Sequence, residues 1–266
     1  MSNTKLVASK GAHIEVITYG TAAVKGPSSI VALACGGSNV LARLLGPVVE
    51  MQMRGYGTSS ADAKSNTAKH AGLTDHIGDI NSVLDHFRLD RAVLLGYSHG
   101  GYFTTAYCIA NPERVAGLIL VEPALFNSRE ELLQRARLAK EAGSEEAMKS
   151  MLRRVQPSIG MHAEKAADLA KSLLKNVNSA ETLVDEFLVR ADNPITEEEL
   201  AALKIPVLVV GGTKSHAAYT VTRVSRILPA ASVWWVRGAE HLDLMSEKIS
   251  VQLEPVVTSF LAGLGQ

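Results

Sequence analysis

The sequence predicts an α/β protein with a mostly parallel central sheet, helices on both faces of the sheet and one helical insertion. Short apolar runs that end in glycine or turn residues alternate with amphipathic helical stripes along most of the chain. One long segment, residues 128–195, holds no strand-like run at all. The 266 residues are enough to bury a large core as a single α/β unit.

The first elements differ in their apolar pattern. "HIEVITYG" (13–20) alternates, as a half-buried antiparallel strand does, and "TAAVKGPSS" follows as a connector. "SIVALACGG" (29–37) and "GPVVEMQMRGYG" (46–57) are nearly continuous apolar runs, typical of strands buried on both faces. "HIGDINSVLDHFRL" (76–89) is a helix whose polar positions, including His76 and Asp79, we assign to a solvated face rather than to a metal site. Its apolar stripe comprises Ile77, Ile80, Val83, Leu84 and Phe87.

The later elements repeat the alternation. "DRAVLLGYSHGG" (90–101) is a strand that enters a tight turn, and "YFTTAYCIANPE" continues it as a helix. "RVAGLILVEPA" (114–124) is the next buried strand. After the insertion, strands resume at "IPVLVVGG" and "ASVWWVRG", and "EKISVQLEPVVTSFLAGL" closes the chain as a helix.

Helix start signals divide the chain. Ser128 with Glu131 and Thr196 with Glu199 fit a capping box, and Asn178 with Glu181 is a close variant of it. We therefore expect a core formed by 1–127 and 196–266, and a separate helical insertion at 128–195.

The composition of the chain limits which binding partners and which cellular compartment we expect. Lys plus Arg equals Asp plus Glu at 27 each, which gives no net field toward nucleic acid or an anionic membrane. No apolar run approaches the ~20 residues that span a bilayer, and the N-terminus lacks a signal-peptide pattern. With two cysteines, Cys35 and Cys108, a reducing, cytoplasmic setting is expected. No metal or cofactor motif is present, so we expect no metal and no cofactor.

Residues 96–100, Gly-Tyr-Ser-His-Gly, form a G-x-S-x-G pattern between a predicted strand and a predicted helix. So sharp a turn strains the backbone at the serine and leaves no room for side chains two positions away, hence the glycines. The turn exposes the Ser98 hydroxyl above the sheet, where it can act as a nucleophile.

With these motifs the chain resembles the α/β-hydrolase family over nearly its whole length. "CGGSN" stands where that family has a His-Gly loop, "MRGYGTSS" resembles its Arg-Gly-x-Gly-x-Ser stretch, and "GAEH" resembles its catalytic histidine loop. The resemblance implies that His241 is the general base and that residues 128–195 are a lid. It also implies an oxyanion hole made by the N–H groups of His99 and Gly37. Cys35 replaces the family's loop histidine, but it is not expected to be a nucleophile.

The third member of the triad is missing from its usual place. The loop after "VLVVGG" offers Thr213, Lys214, Ser215 and His216, and no Asp or Glu occurs between Glu199 and Glu240. Some family members carry the acid after the strand that follows the nucleophile helix, and here that strand ends in Glu122. Asp243, or a Ser-His dyad without an acid, remains an alternative.

The expected activity is hydrolysis of a small to medium, fairly apolar ester or lactone by Ser98, His241 and Glu122. The alternatives are non-hydrolytic chemistry on this fold, such as a cofactor-free oxygenase or lyase, and non-catalytic small-molecule binding. We expect a monomer or homodimer whose partner is the substrate. Expected substrate contacts come from Gly36, Ser38, Tyr97, Met148, Met151, Phe187 and His216.

Overall fold

The computed structural model describes residues 2–20, 26, 29–34, 43, 45–61 and 71–264. Its strands are β1 (Ser2–Ser9), β2 (Ala12–Tyr19), β3 (Ile30–Ala34), β4 (Val48–Gln52), β5 (Ser60–Ala61), β6 (Ala92–Tyr97), β7 (Val115–Val121), β8 (Val207–Gly212) and β9 (Ala231–Val236). Its α-helices are α1 (Leu73–His86), α2 (His99–Ala110), α3 (Arg129–Glu141), α4 (Ser144–Val155), α5 (Pro157–Gly160), α6 (Ala163–Leu174), α7 (Ala180–Asp192), α8 (Glu197–Ala202), α9 (Ala218–Ile227) and α10 (Glu247–Gly263). Short 3₁₀ turns cover Pro112–Arg114 and Leu242–Met245.

All nine strands belong to one sheet, in the order β1-β2-β4-β3-β6-β7-β8-β9, with β5 paired to β2. The strands from β4 through β9 in that order are parallel to one another, whereas β2 is antiparallel to β1, β4 and β5. The predicted mostly parallel sheet is therefore confirmed. Strand β1 was not predicted from the sequence, because its residues are mostly polar and largely exposed and show no strand pattern.

The two faces of the sheet bury alternate residues of each central strand. Leu94 and Leu118 pack on the face covered by α1, α2 and α9. Leu95 and Ile119 pack on the opposite face, which α10 covers through Leu253 and Val257. Since neighbouring side chains in a strand point to opposite faces, the continuous apolar runs fill both cores.

Five helices, α3 to α7, lie between β7 and α8 along the chain. Helices α3 and α7 share one small apolar cluster, and α4 and α6 share another. Ser128 and Thr196 cap α3 and α8 as expected, each accepting a hydrogen bond from the backbone N–H three residues later. The expected cap at Asn178 was wrong by one position, because Ser179 caps α7 while the Asn178 amide donates to Ser59 O.

The expected solvent exposure of Asp79 on α1 was also wrong. Asp79 is buried and forms an ion pair with Arg54, with Nε 2.5 Å from Oδ2. The His76 ring packs against Phe103, and burial lowers the pKa of His76 to about 4. In the described ranges no helix combines the length and apolarity needed to cross a membrane.

Candidate active site

Ser98 and Glu122 follow directly after two neighbouring parallel strands. Tyr97 of β6 pairs with Val121 of β7, so the two residues occupy equivalent positions at one edge of the sheet. Hydrogen bonds join the two strand ends, from Ser98 N to Val121 O (3.0 Å) and from Ala124 N to Ser98 O (2.8 Å). The backbone thus fixes the relative position of the serine and the acid.

Both residues have a left-handed backbone, with φ of 51° at Ser98 and 45° at Glu122. Residues other than glycine rarely adopt this conformation, and when they do it is often at a functional site. The glycines around Ser98 have a steric cause, as the sequence predicts. A Cβ at Gly96 would lie 2.4 Å from Thr104 Oγ1, and one at Gly100 would lie 3.0 Å from the backbone oxygen of Leu33.

The carboxylate of Glu122 lies against the imidazole of His241, with Oε2 2.5 Å from Nδ1. Two further groups donate to this buried carboxylate. Gly212 N donates to Oε1 at 2.7 Å, and Ser215 Oγ donates to Oε2 at 2.6 Å. These bonds orient the carboxylate and compensate its burial. The loop after β8 therefore supplies a hydroxyl donor to the Glu122 carboxylate, which follows the end of β7.

Asp243, the alternative acid, has other partners. Its Oδ1 accepts from Gln156 Nε2 at 3.0 Å, and its Oδ2 accepts from the backbone N–H of Glu240 at 2.9 Å. These bonds hold the turn that carries His241. Asp243 is thus engaged as a turn residue, whereas Glu122 is the carboxylate at the imidazole.

His241 is held by contacts on several sides. The Tyr97 ring stacks on the imidazole with ring centres 4.8 Å apart, and its hydroxyl donates to His241 O at 3.1 Å. Next to it, Leu242 N donates to Gln156 Oε1 at 2.8 Å. Because Gln156 follows α4, the helical insertion contributes to the position of this loop. Nothing in the sequence spacing signals that contact.

His216 lies beside the same imidazole, with the two rings roughly perpendicular and their centres 5.1 Å apart. Burial, and then electrostatic interactions with His241 and Arg154, lower the pKa of His216 to about 4. The ring is therefore neutral at neutral pH and offers one N–H donor and one acceptor nitrogen.

A cavity of about 450 Å³ opens over these residues. Ser98, Glu122 and His241 line it, as does His99, the predicted oxyanion-hole residue, and so do the predicted substrate contacts Tyr97, Met148, Met151, Phe187 and His216. The remaining predicted residues, Gly36, Gly37, Ser38 and Cys35, lie outside the described residues. The apolar part of the wall includes Leu33, Leu125, Leu169, Leu173, Val177, Leu183 and Met245.

A second buried polar group, which sequence reasoning missed, joins α7 to the strand ends. Glu186 of α7 accepts from Tyr56 Oη at 2.5 Å, and its other oxygen lies 2.9 Å from His99 Nδ1. Arg190, one turn later, lies 4.0 Å from Glu186 and donates to Ala124 O. Burial opposes ionisation of Glu186, but His99, Arg190 and the Tyr56 hydroxyl outweigh it and lower its pKa to about 2. The described residues contain no cluster of three or more acidic, histidine or cysteine side chains arranged for a metal ion.

Comparison with known proteins gives a family and a fold. A family model described as alpha/beta hydrolase fold matches residues 47–248. The 1-acylglycerol-3-phosphate O-acyltransferase ABHD5 of Rattus norvegicus is 34% identical over 91 residues, which is 34% of this chain and only 26% of that protein. A thermophilic esterase from Thermogutta terrifontis superposes with a TM-score of 0.78 at 19% identity, covering 99% of this chain and 100% of its own. The enol-lactonase from Burkholderia xenovorans LB400 superposes with a TM-score of 0.77 at 18% identity, covering 97% and 100%. At these identities the two structures show a shared fold.

Proposed function

Because the chain belongs to the α/β-hydrolase fold family, we propose that it is a serine hydrolase that cleaves a carboxylic ester or a lactone. The observation that carries the proposal is the Glu122–His241 pair, 2.5 Å apart, in the wall of the cavity that Ser98 also lines. A buried acid, an imidazole and a half-buried serine that lines the same cavity are the three groups of a serine hydrolase triad.

In the proposed reaction, Ser98 Oγ attacks the substrate carbonyl and its proton passes to Nε2 of His241. Nδ1 of the same ring keeps its proton and donates to Glu122, which stabilises the imidazolium that forms. His241 then gives the proton to the leaving alkoxide, which departs and leaves an acyl ester on Ser98. Water, deprotonated by His241, attacks this ester and releases the acid and the free serine. A lactone follows the same path, except that its alkoxide remains attached to the acyl chain.

The backbone N–H of His99 is the proposed donor to the oxyanion on the nucleophile side, because it is the first N–H of α2 after Ser98. The resemblance assigns the second donor to Gly37, outside the described residues. The largely apolar wall of the cavity favours a substrate with a hydrocarbon body next to the reacting carbonyl.

Replacing the nucleophile tests this proposal. We expect Ser98→Ala to reduce kcat by about 10³-fold or more on p-nitrophenyl esters, because no covalent intermediate can form. A fluorophosphonate probe should label the parent protein at Ser98 and leave the variant unlabelled. Near-parent turnover in the variant would place the chemistry on another residue. Unchanged circular dichroism and thermal unfolding would show that the fold is intact.

A further inference from the structure

Two arginines of the helical insertion line the cavity that the proposed triad also lines. Arg135 belongs to α3 and Arg154 to α4, and both residues line the cavity. Both contact the same oxygen of one carboxylate, Oε1 of Glu131. Asn127 Nδ2 donates to the other oxygen of Glu131 at 3.3 Å.

The charges in this group do not balance. Two guanidinium groups share one carboxylate, which leaves an excess of one positive charge at this part of the wall. Within the described ranges, each guanidinium makes one protein hydrogen bond, to Glu131, although it carries five N–H donors. The only acid among the described lining residues of this cavity is Glu122, whose partners are His241, Ser215 and Gly212.

The two arginines also separate the main cavity from a smaller neighbour. A second cavity, of about 230 Å³, shares Arg135, Arg154, Met151 and Phe187 with the first. Its other described lining residues include the polar side chains of Glu131, Gln134 and Ser150. A ligand that fills the apolar main cavity therefore meets a polar, positively charged end at this boundary.

The position of Arg154 relates this boundary to the catalytic edge. Val155, the next residue, accepts a hydrogen bond from His241 N at 3.4 Å. The charge of Arg154 is also close enough to His216 to contribute to its lowered pKa. A medium-sized substrate would thus be long enough to place an anionic group beside Arg154 while its carbonyl lies at Ser98.

From this geometry we propose that the substrate is an ester or lactone that carries an acid group, held by Arg154 and Arg135 at the boundary of the two cavities. This inference rests on the proposed function and refines its substrate class from a fairly apolar ester to one with an apolar middle and an anionic end. Guanidinium groups bind carboxylates and phosphates through paired N–H donors, and partial burial strengthens such contacts. The alternative is that the arginines only join α3 to α4 through Glu131.

Paired substrates separate the two explanations. On the acyl side, mono-p-nitrophenyl adipate is compared with p-nitrophenyl hexanoate. On the alcohol side, the hexanoate ester of 4-hydroxybenzoate is compared with phenyl hexanoate. We expect the acidic member of at least one pair to have a kcat/KM higher by about tenfold, mainly through KM, with an advantage that shrinks as salt is raised.

Arg154→Gln should reduce the preference for the acidic ester by roughly tenfold or more, the usual effect of losing a charge-assisted contact. Arg153→Gln is the matched control, because Arg153 is exposed on the same helix and does not line either cavity. It should keep the parent's preference. Arg135→Gln should act in the same direction as Arg154→Gln. Equal kcat/KM within both substrate pairs, or a preference that survives both cavity substitutions, would overturn the proposal.

A binding measurement keeps this test independent of turnover. In the Ser98→Ala protein, monomethyl adipate should raise the thermal midpoint more than dimethyl adipate does, and Arg154→Gln should remove the difference. If no ester is hydrolysed but this difference is found, the proposed hydrolase function fails and the anion site stands. If neutral esters are hydrolysed and monomethyl adipate gives no advantage, the anion site fails and the hydrolase function stands.

Discussion

At the scale of single residues, the main finding is the hydrogen bond that Ser215 donates to Glu122. The loop after β8 has no carboxylate, but its serine donates a 2.6 Å hydrogen bond to the carboxylate that lies against His241. The residue at the position where the family usually has its acid therefore donates a hydrogen bond to the proposed acid, Glu122. A structural role for Ser215 was invisible in the sequence, because the contact joins residues 93 positions apart.

Removing the charge of Glu122 tests its role. We expect Glu122→Gln to reduce kcat by roughly 10²- to 10⁴-fold, since the amide keeps the shape but does not stabilise the imidazolium. Adding Ser215→Asp to that variant should restore part of the rate, because residue 215 already lies within hydrogen-bonding distance of the same carboxylate oxygen. Steady-state kinetics on one p-nitrophenyl ester measures both effects. Full activity in Glu122→Gln alone would leave a Ser98–His241 dyad as the working site.

At the scale of elements, the helical insertion is tied to the proposed site by two buried polar contacts. Gln156, after α4, binds the turn that carries His241 through Leu242 N and Asp243. Glu186, on α7, binds His99 and Tyr56. Both contacts join segments that are far apart in the chain, so neither follows from local pattern. We propose that the insertion, residues 128–195, positions catalytic groups as well as covering them.

Loosening the first contact should affect turnover more than binding. We expect Gln156→Ala to reduce kcat by about tenfold with a smaller change in KM, since it removes two hydrogen bonds that fix the histidine turn. Gln252→Ala, an exposed position on α10, is the control and should behave like the parent. A change confined to KM would instead indicate that Gln156 affects substrate binding alone.

The second contact, that of Glu186, should make the free energy of unfolding depend on pH in the acid range. The pKa of Glu186 is about 2 in the folded protein against an ordinary value of 4.5. Its ionisation therefore stabilises the fold above about pH 4.5, and this stabilisation is lost as pH falls from 4.5 toward 2. Glu186→Gln should lower the free energy of unfolding at pH 7 by on the order of 3 kcal/mol and flatten its decline in that acid range.

Urea unfolding at a series of pH values measures this difference. Glu164→Gln is a suitable control, because Glu164 is exposed on α6 of the same insertion. A parallel acid decline in the Glu186→Gln protein and its parent would show that other carboxylates dominate.

At the scale of the whole molecule, the alternating pattern of buried strands and amphipathic helices was enough to predict the sheet and its class. The pattern was sufficient because central strands such as β7 are apolar at every position and so differ from the polar turns and amphipathic helices next to them in the sequence. It failed for β1, whose side chains are mostly exposed. It also failed for Asp79, because the carboxylate is buried in an ion pair with Arg54, which follows strand β4. The candidate site was predictable where backbone geometry imposes residue types, as at Ser98. It was not where distant side chains pair without a family motif to mark them, as Glu186 and Tyr56 do across 130 positions.

The core between the sheet and α10 can be tested separately from the candidate active site. Leu253 of α10 is fully buried in the cluster that forms this core. We expect Leu253→Ala to reduce the free energy of unfolding by about 2–5 kcal/mol through the cavity it leaves. Val251→Ala, exposed on the same helix, should change it little. Urea denaturation measures both. An equal effect of the two substitutions would mean that α10 does not close this core.

The hydrogen bond between Ser215 and Glu122 also has an evolutionary consequence. Because residue 215 contacts the carboxylate that lies against the imidazole, we expect an exchange of the acid between positions 122 and 215 to need two substitutions. The order of those steps matters. An intermediate with carboxylates at both positions places two anions around one ring and forces one of them to hold a proton. An intermediate with neither has only the dyad. Replacing a carboxylate at 215 by serine, once Glu122 is in place, turns a repelling neighbour into a hydrogen-bond donor to Glu122.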